Sequence, residues 1–298
     1  MKVEGVLYST LIASGAIGVY LCYITFREVG YGFNSRKFWE VAKFTAPLAL
    51  SFFGMFILTY SDRYFLNYFS SLSEVGIYSL GYKFGYIVSS FVMLPVGRIW
   101  AVYQYELAKK PEAKYMFRKF FTYVNLVLIW SSLGMAIYAK DVLKVMANKS
   151  YLDAYKIVGL ILVTYVIYEW FHFTHLGVLL KKKTGYVAWS TLLAALLMLI
   201  LNLVLIPPFG MYGAAIGTLF AYLARFGLIY PFSQRLYRIE YDWTRILGML
   251  LIAVVLYTVS LFLDNGSMAI SITCKTCIYM LFPAIVYFSP ILNQSEKI

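Results

Sequence analysis

Charge is what this chain has least of. Only 13% of its 298 residues are charged, 14 acidic against 26 Lys and Arg, while 61% are hydrophobic and the mean hydropathy is +0.72. Too few charges remain to cover a water-soluble globule of that length, so the bilayer must act as solvent and no soluble domain is left over. Cysteine is scarce as well. Cys22 lies mid-helix, and Cys274 with Cys277, one helical turn apart, makes a lone CxxC that reads as packing rather than redox or zinc chemistry. No disulfide framework is implied. A Walker loop is absent, which argues against direct drive by ATP. The ten-residue alternation of an outer-membrane barrel is absent too.

What is present is a series of apolar runs of roughly 20 residues, the length needed to cross a bilayer. They fall near 5 to 26, 44 to 61, 76 to 97, 119 to 138, 157 to 180, 185 to 206, 212 to 232, 245 to 263 and 270 to 290. The fold class is therefore an all-α integral membrane protein with about nine transmembrane helices. The sixth and seventh runs meet in the uncharged stretch Leu201–Thr218, where Pro207-Pro208 stops the first helix, Gly210 frees a turn, and Gly213 with Gly217 gives the second a small packing face. This is a membrane hairpin.

Positive loops stay cytoplasmic, and two loops set the orientation. Arg98, Lys109, Lys110, Lys114, Arg118 and Lys119 follow the third helix, and Lys181, Lys182 and Lys183 follow the fifth. Arg27, Arg36, Lys37, Lys43, Arg235, Arg238 and Arg245 fall on the same side, whereas the Pro-Pro corner and the Asp264-Asn265-Gly266 turn carry no Lys or Arg. The loop with Lys140, Lys144, Lys149 and Lys156 dissents. The count puts the N-terminus outside and the C-terminus in the cytoplasm, in a multi-pass protein of the cytoplasmic membrane. The net charge of +12 becomes a cytoplasmic basic collar against membrane lipids rather than a nucleic-acid surface. Met1-Lys2-Val3-Glu4-Gly5 is neither a secretory n-region nor a plausible translocated tail, so sequence missing upstream is expected.

Ionisable side chains inside a span are costly and usually face protein or a wet cavity. In the third helix Gly81 and Gly85 form a small face, and Lys83 points nearly opposite, sharing a polar stripe with Ser79, Tyr86 and Ser90. That stripe reads either as a cavity lining that draws an anion or, for Lys83, as a side chain snorkelling to the headgroups. The fifth helix brings Tyr165, Tyr168, Glu169, His172 and His175 onto one face, as a proton relay or cation-coupling site, or as a hydrogen-bonded belt at a helix contact. Glu169-x-x-His172 is also half of a di-iron pattern. The second pair and further carboxylates that such a centre needs are not evident, so no metal and no cofactor is expected. Asp62 and Arg63 project about 100° apart, which predicts that they do not pair with each other and act as an interfacial anchor at the outer end of their helix. Arg225, about 15 Å from the cytoplasmic cluster at 1.5 Å per residue, is deep enough for an interior anion site shared with Lys83.

The hairpin Leu-Asn-Leu-x-Leu-Ile-Pro-x-x-Gly-x-x-Gly-Ala-Ala-Ile, preceded by Leu179-Leu180-Lys181-Lys182-Lys183-Thr184, resembles the C-terminal half of polysaccharide flippases of the multidrug and oligosaccharidyl-lipid exporter superfamily. Ser61-Asp62-Arg63-Tyr64-Phe65-Leu66 and Glu74-Val75-Gly76-Ile77-Tyr78-Ser79 are similar to the join of the first two helices of that family's second lobe. The resemblance implies two six-helix lobes and a further helix pair. Residues 1–30 would then be the last helix of an otherwise absent first lobe, 38–238 the six-helix C-terminal lobe, and 243–291 two additional helices. It implies flipping of polyprenyl-pyrophosphate-linked oligosaccharide for polysaccharide or O-antigen export by alternating access, without bond chemistry and so not as an enzyme. The partners would be the lipid-linked oligosaccharide, membrane lipids and a missing N-terminal lobe polypeptide, with Lys83, Arg225, Ser79, Tyr86 and Ser90 on the substrate. The alternatives are a non-transporting remnant or scaffold, half of a multidrug exporter, and a membrane glycan polymerase. The last would need a sizeable outer loop with paired acidic residues, which is lacking.

Overall fold

The computed structural model describes residues 2–30, 32, 34–263 and 268–289; the Asp264-Asn265-Gly266 turn and the C-terminus lie outside them. Among the described residues every element is helical, in a multi-pass membrane protein. Two compact units divide the chain, Met1–Ala46 and Pro47–Ile298. In the first, α1 (Lys2–Val29) contains the span Leu7–Val29. It ends at Gly30, whose φ of 75° suits the left-handed position after a helix and whose N–H donates to the Phe26 carbonyl at 3.0 Å. Helix α2 (Ser35–Phe69) starts in that unit and carries Pro47 inside it.

The second unit is built around one helix. In chain order come α3 (Leu72–Val88), a π-helical turn (Ser89–Met93), α4 (Leu94–Leu107), α5 (Ala113–Met146), a 3₁₀ turn (Lys149–Ala154), α6 (Tyr155–Thr174) and α7 (Leu176–Leu180), then α8 (Gly185–Leu236), α9 (Trp243–Leu261) and α10 (Met268–Phe288). Helix α6 packs against α3, α5 and α8, and 67% of its apolar span is buried, against 28% for α9 and α10, which both pack on α5. A helix apolar all round belongs in the middle of a bundle. Its buried Trp170 donates from Nε1 to the Asn125 side-chain oxygen at 2.6 Å, and Asn125 in turn donates to the Phe121 carbonyl at 2.8 Å, so this polar pair is satisfied inside the core.

Helix α8 holds the hairpin. At about 1.5 Å per residue a straight 52-residue helix would far exceed a bilayer of about 30 Å. The chain instead reverses at Gly210, with φ 52° and ψ −131°. A Cβ on Gly213 would lie 2.1 Å from the Leu205 carbonyl oxygen and one on Gly217 3.4 Å from Leu201, while Arg225 bonds Thr191. Pairs that move apart symmetrically about Gly210 describe two antiparallel limbs, 185–209 and 211–236. The turn differs from expectation in one respect. Helical conformation runs through Pro207 and Pro208 to Phe209, and the glycine rather than the prolines ends the first limb.

The helices also outrun the apolar runs that revealed them. Arg98, expected in a loop, lies inside α4, and Asp62 and Arg63, expected at a helix end, lie inside α2.

Candidate functional site

Pro95 near the start of α4 has no N–H to give to the preceding turn, and the chain widens there into the π turn Ser89–Met93. That turn faces α6. Ser89 Oγ donates to Glu169 Oε1 at 2.7 Å, joining the π turn to a carboxylate that is 5% exposed. Beside this bond opens a cavity of about 380 Å³ lined by Tyr86, Ser89, Ser90, Gln104, Tyr168, Glu169, His172 and His175, among others. A second cavity of about 200 Å³ shares Tyr86, Ser89 and Tyr168 with it and adds Thr59, Tyr82, Tyr165 and Tyr222.

The polar stripes of α3 and α6 thus meet, but only in part. Tyr86 and Ser90 share the larger cavity with Glu169, His172 and His175, while Ser79 and Lys83 line neither cavity. The exposed Lys83 is opposite the small face expected of α3, where a Cβ on Gly81 would meet Ile157 at 2.9 Å and one on Gly85 would meet Tyr165 at 2.3 Å. The two imidazoles have ring centroids 6.2 Å apart, and Tyr168 meets the His172 ring edge-on at 4.8 Å. His175 Nδ1 lies 2.7 Å from the Phe171 carbonyl; a carbonyl only accepts, so Nδ1 carries the hydrogen and Nε2 is left for other partners. Among the described residues no three His, Cys, Asp or Glu side chains converge to hold a metal ion. Cys22, Cys274 and Cys277 are all free thiols.

Arg225 lies behind this wall rather than in it. Its guanidinium sits 3.6 Å from the centre of the Phe171 ring, which also stacks on the His175 ring at 5.0 Å and meets the His172 ring edge-on at 5.8 Å. Nε donates to Thr191 Oγ1 at 3.1 Å, and Nη1 is buried with no hydrogen-bond partner. An arginine nitrogen left unpaired away from water is expensive, which marks Arg225 as a cation awaiting an acceptor.

Asp62 and Arg63 correct the expectation that they do not pair. Arg63 Nη1 reaches Asp62 Oδ1 at 3.1 Å and its backbone N–H donates to the same oxygen at 2.8 Å, because the long arginine side chain folds back along the helix. Asp62 is completely buried in protein and receives the Tyr78 hydroxyl at 2.6 Å. Arg63 lies over the Tyr82 ring at 4.7 Å. Thr218 of α8 sits 3.4 Å from the Tyr78 hydroxyl, and Asn202 donates to Ser61 at 3.2 Å, so α2, α3 and both limbs of the hairpin join here.

Further polar contacts were missed in the sequence. Glu74 Oε1 accepts the Met211 N–H at 2.6 Å, capping the second limb of the hairpin, and Ser71 caps α3 by accepting the Glu74 N–H at 3.2 Å. The signal was there: Glu74 opens one quoted motif and Gly210-Met211 lies in the other. Lys275 of α10 is buried and donates to Asp141 at 2.7 Å, with Lys144 3.6 Å from the other oxygen. Asp153 holds Lys156 at 2.8 Å, so part of the dissenting basic loop is ion-paired.

Residues 2–101 match the family model described as polysaccharide biosynthesis protein. The match takes in α1, α2, α3 and the π turn, with the Ser61–Leu66 and Glu74–Ser79 motifs, and is consistent with the polysaccharide exporter family. It stops before α6 and the hairpin. No curated protein and no solved structure matches the chain. The family region supports a role in polysaccharide biosynthesis or export, carried by a multi-pass membrane protein.

Proposed function

We propose that this chain moves polyprenyl-pyrophosphate-linked oligosaccharide across the cytoplasmic membrane, with the cavity between the π turn and α6 as part of the path. The supporting observation is that cavity: about 380 Å³ inside a membrane bundle, with a carboxylate, two imidazoles and hydroxyls in its wall. Such groups inside a span mark substrate or ion pathways. The tyrosines of the two joined cavities offer flat faces to sugar rings and hydroxyls to their oxygens. Arg225, in contact with the Phe171 ring, supplies fixed positive charge for a pyrophosphate, and its unpaired nitrogen is a donor for an anion's oxygens. The reaction is translocation, not bond chemistry, by alternating access against a second lobe supplied by the same polypeptide or another. The exposed α3 stripe with Lys83 would face that lobe. Glu169, His172 and His175 are the coupling candidates. The C-terminus is placed in the cytoplasm by the Lys and Arg count.

The test uses a strain whose surface glycan depends on the transporter, with every part of it present. Arg225→Ala should abolish export and Lys83→Ala should lower it several-fold, both at normal membrane abundance. Normal glycan with either alanine rejects the charge role of that residue. A reporter after Lys183 should read cytoplasmic and one at Pro208 external; the opposite pattern overturns the orientation.

A further inference from the structure

A separate polar pocket of about 90 Å³ lies between α5 and the start of α9, lined by Tyr115, Arg118, Lys119, Tyr123, Asp242 and Arg245, with Thr122. Arg118 grips Asp242 with both arms of its fork, Nε to Oδ2 at 2.7 Å and Nη2 to Oδ1, and Arg245 approaches the same carboxylate at 4.0 Å. Three cations therefore surround one carboxylate, 3 − 1 = +2. Nearby Glu240 is met by Arg238 at 3.4 Å. Lys119 rests between the Tyr115 and Tyr123 rings, 5.8 and 5.9 Å from their centres, and has no carboxylate within ion-pair distance among the described residues. The N-terminal end of α9 adds its own partial positive charge.

We infer that this pocket binds the phosphate of an anionic membrane phospholipid. The volume admits a phosphate group and little more, and the net positive charge of the lining, with the Lys119 ammonium beside it, suits its oxygens. What selects a lipid over a free anion is the surroundings. Tyr115 and Tyr123 are exposed at the end of a membrane helix, the usual station of interfacial tyrosine. Tyr123 and Val127 continue the Lys119 stripe at four-residue spacing, and Val127, Leu247 and Leu251 are exposed apolar side chains along which an acyl chain can lie. This assignment does not depend on what the α3–α6 cavity transports.

Native mass spectrometry of the full chain in detergent tests it, with phosphatidylglycerol and phosphatidylcholine of equal chain length as probes. Wild type should retain phosphatidylglycerol with a preference of about tenfold, and Lys119→Ala with Arg245→Ala should abolish that preference. Lys109→Ala, a basic change at the same end but outside the pocket, should leave it intact, and Lys119→Arg should restore it. Equal retention of the two lipids, or an unchanged preference in the double variant, overturns the inference. So does displacement of the lipid by millimolar inorganic phosphate, which would assign the pocket to a free anion. Should the double variant fail to fold, Lys119→Gln alone must reduce the preference at unchanged thermal stability.

Discussion

The seam that joins α2, α3 and the hairpin, and the cavity wall between the π turn and α6, draw on the same residue types but differ in what their ionisable groups face: protein at the seam, open space at the cavity. At the seam, Asp62 receives Tyr78 and Arg63, Glu74 caps the hairpin, and Gly213 presses on the Leu205 backbone; its strongest charges are met by protein, and among the described residues there only the Tyr82 hydroxyl and the Asn202 side-chain oxygen stay buried without a partner. At the cavity, one Glu169 oxygen holds Ser89, while His172 and His175 border open space and Arg225 behind them keeps an unpaired nitrogen. Inside a membrane, ionisable groups paired with protein fix a fold, and those that border open space mark where binding or movement can occur. The seam is where this bundle is held. The cavity is where it is available.

That contrast can be broken or sharpened by substitution, the seam first. Gly213→Ala puts a methyl group against backbone that cannot retreat, so we expect more than about 3 kcal/mol of destabilisation and little folded protein by fluorescence-detected size exclusion. Asp62→Ala leaves the half-buried Arg63 guanidinium without its carboxylate and the buried Tyr78 hydroxyl without its acceptor, and should cost about 2–3 kcal/mol, read as a large drop in melting temperature. Glu74→Ala removes the cap on Met211, expected at about 1–2 kcal/mol, with normal transport per surviving molecule. Glu169→Gln keeps an oxygen for Ser89, so its effect on stability should stay below about 1 kcal/mol while the pH dependence of lipid-glycan movement in reconstituted vesicles flattens. A Glu169→Gln protein that melts early with an unaltered pH profile would reduce the cavity wall to packing and erase the contrast.

Much of the bundle was legible because the bilayer leaves few options: an apolar run of sufficient length is a helix, and Gly213 and Gly217 near a Pro-Pro corner announce a hairpin. Periodicity also put Tyr86 and Ser90 on one face and Glu169, His172 and His175 on another. It could not say which of those faces meet, because that depends on how α3 turns about α6, and Gly85 settles it by admitting Tyr165. Arg63 was misjudged because directions at Cβ say little about a side chain long enough to fold back on its neighbour. Helix ends were misplaced for a different reason. Charged residues such as Arg98 and Lys114 end an apolar run without ending a helix.

The Glu74–Met211 bond also has a consequence in time. Its partners are 137 residues apart, whereas Ser89 and Glu169 are 80 apart. At about 5–20 residues per second, synthesis delivers Met211 roughly 7–27 seconds after Glu74, while Glu169 follows Ser89 within roughly 4–16 seconds. During that interval α2 and α3 enter the membrane with the Glu74 carboxylate still lacking its Met211 donor, and the clasp closes only when the hairpin arrives. The cavity wall is thus complete in the nascent chain before the contact that secures it, so a ribosome stalled short of Met211 should hold the path without its fastening.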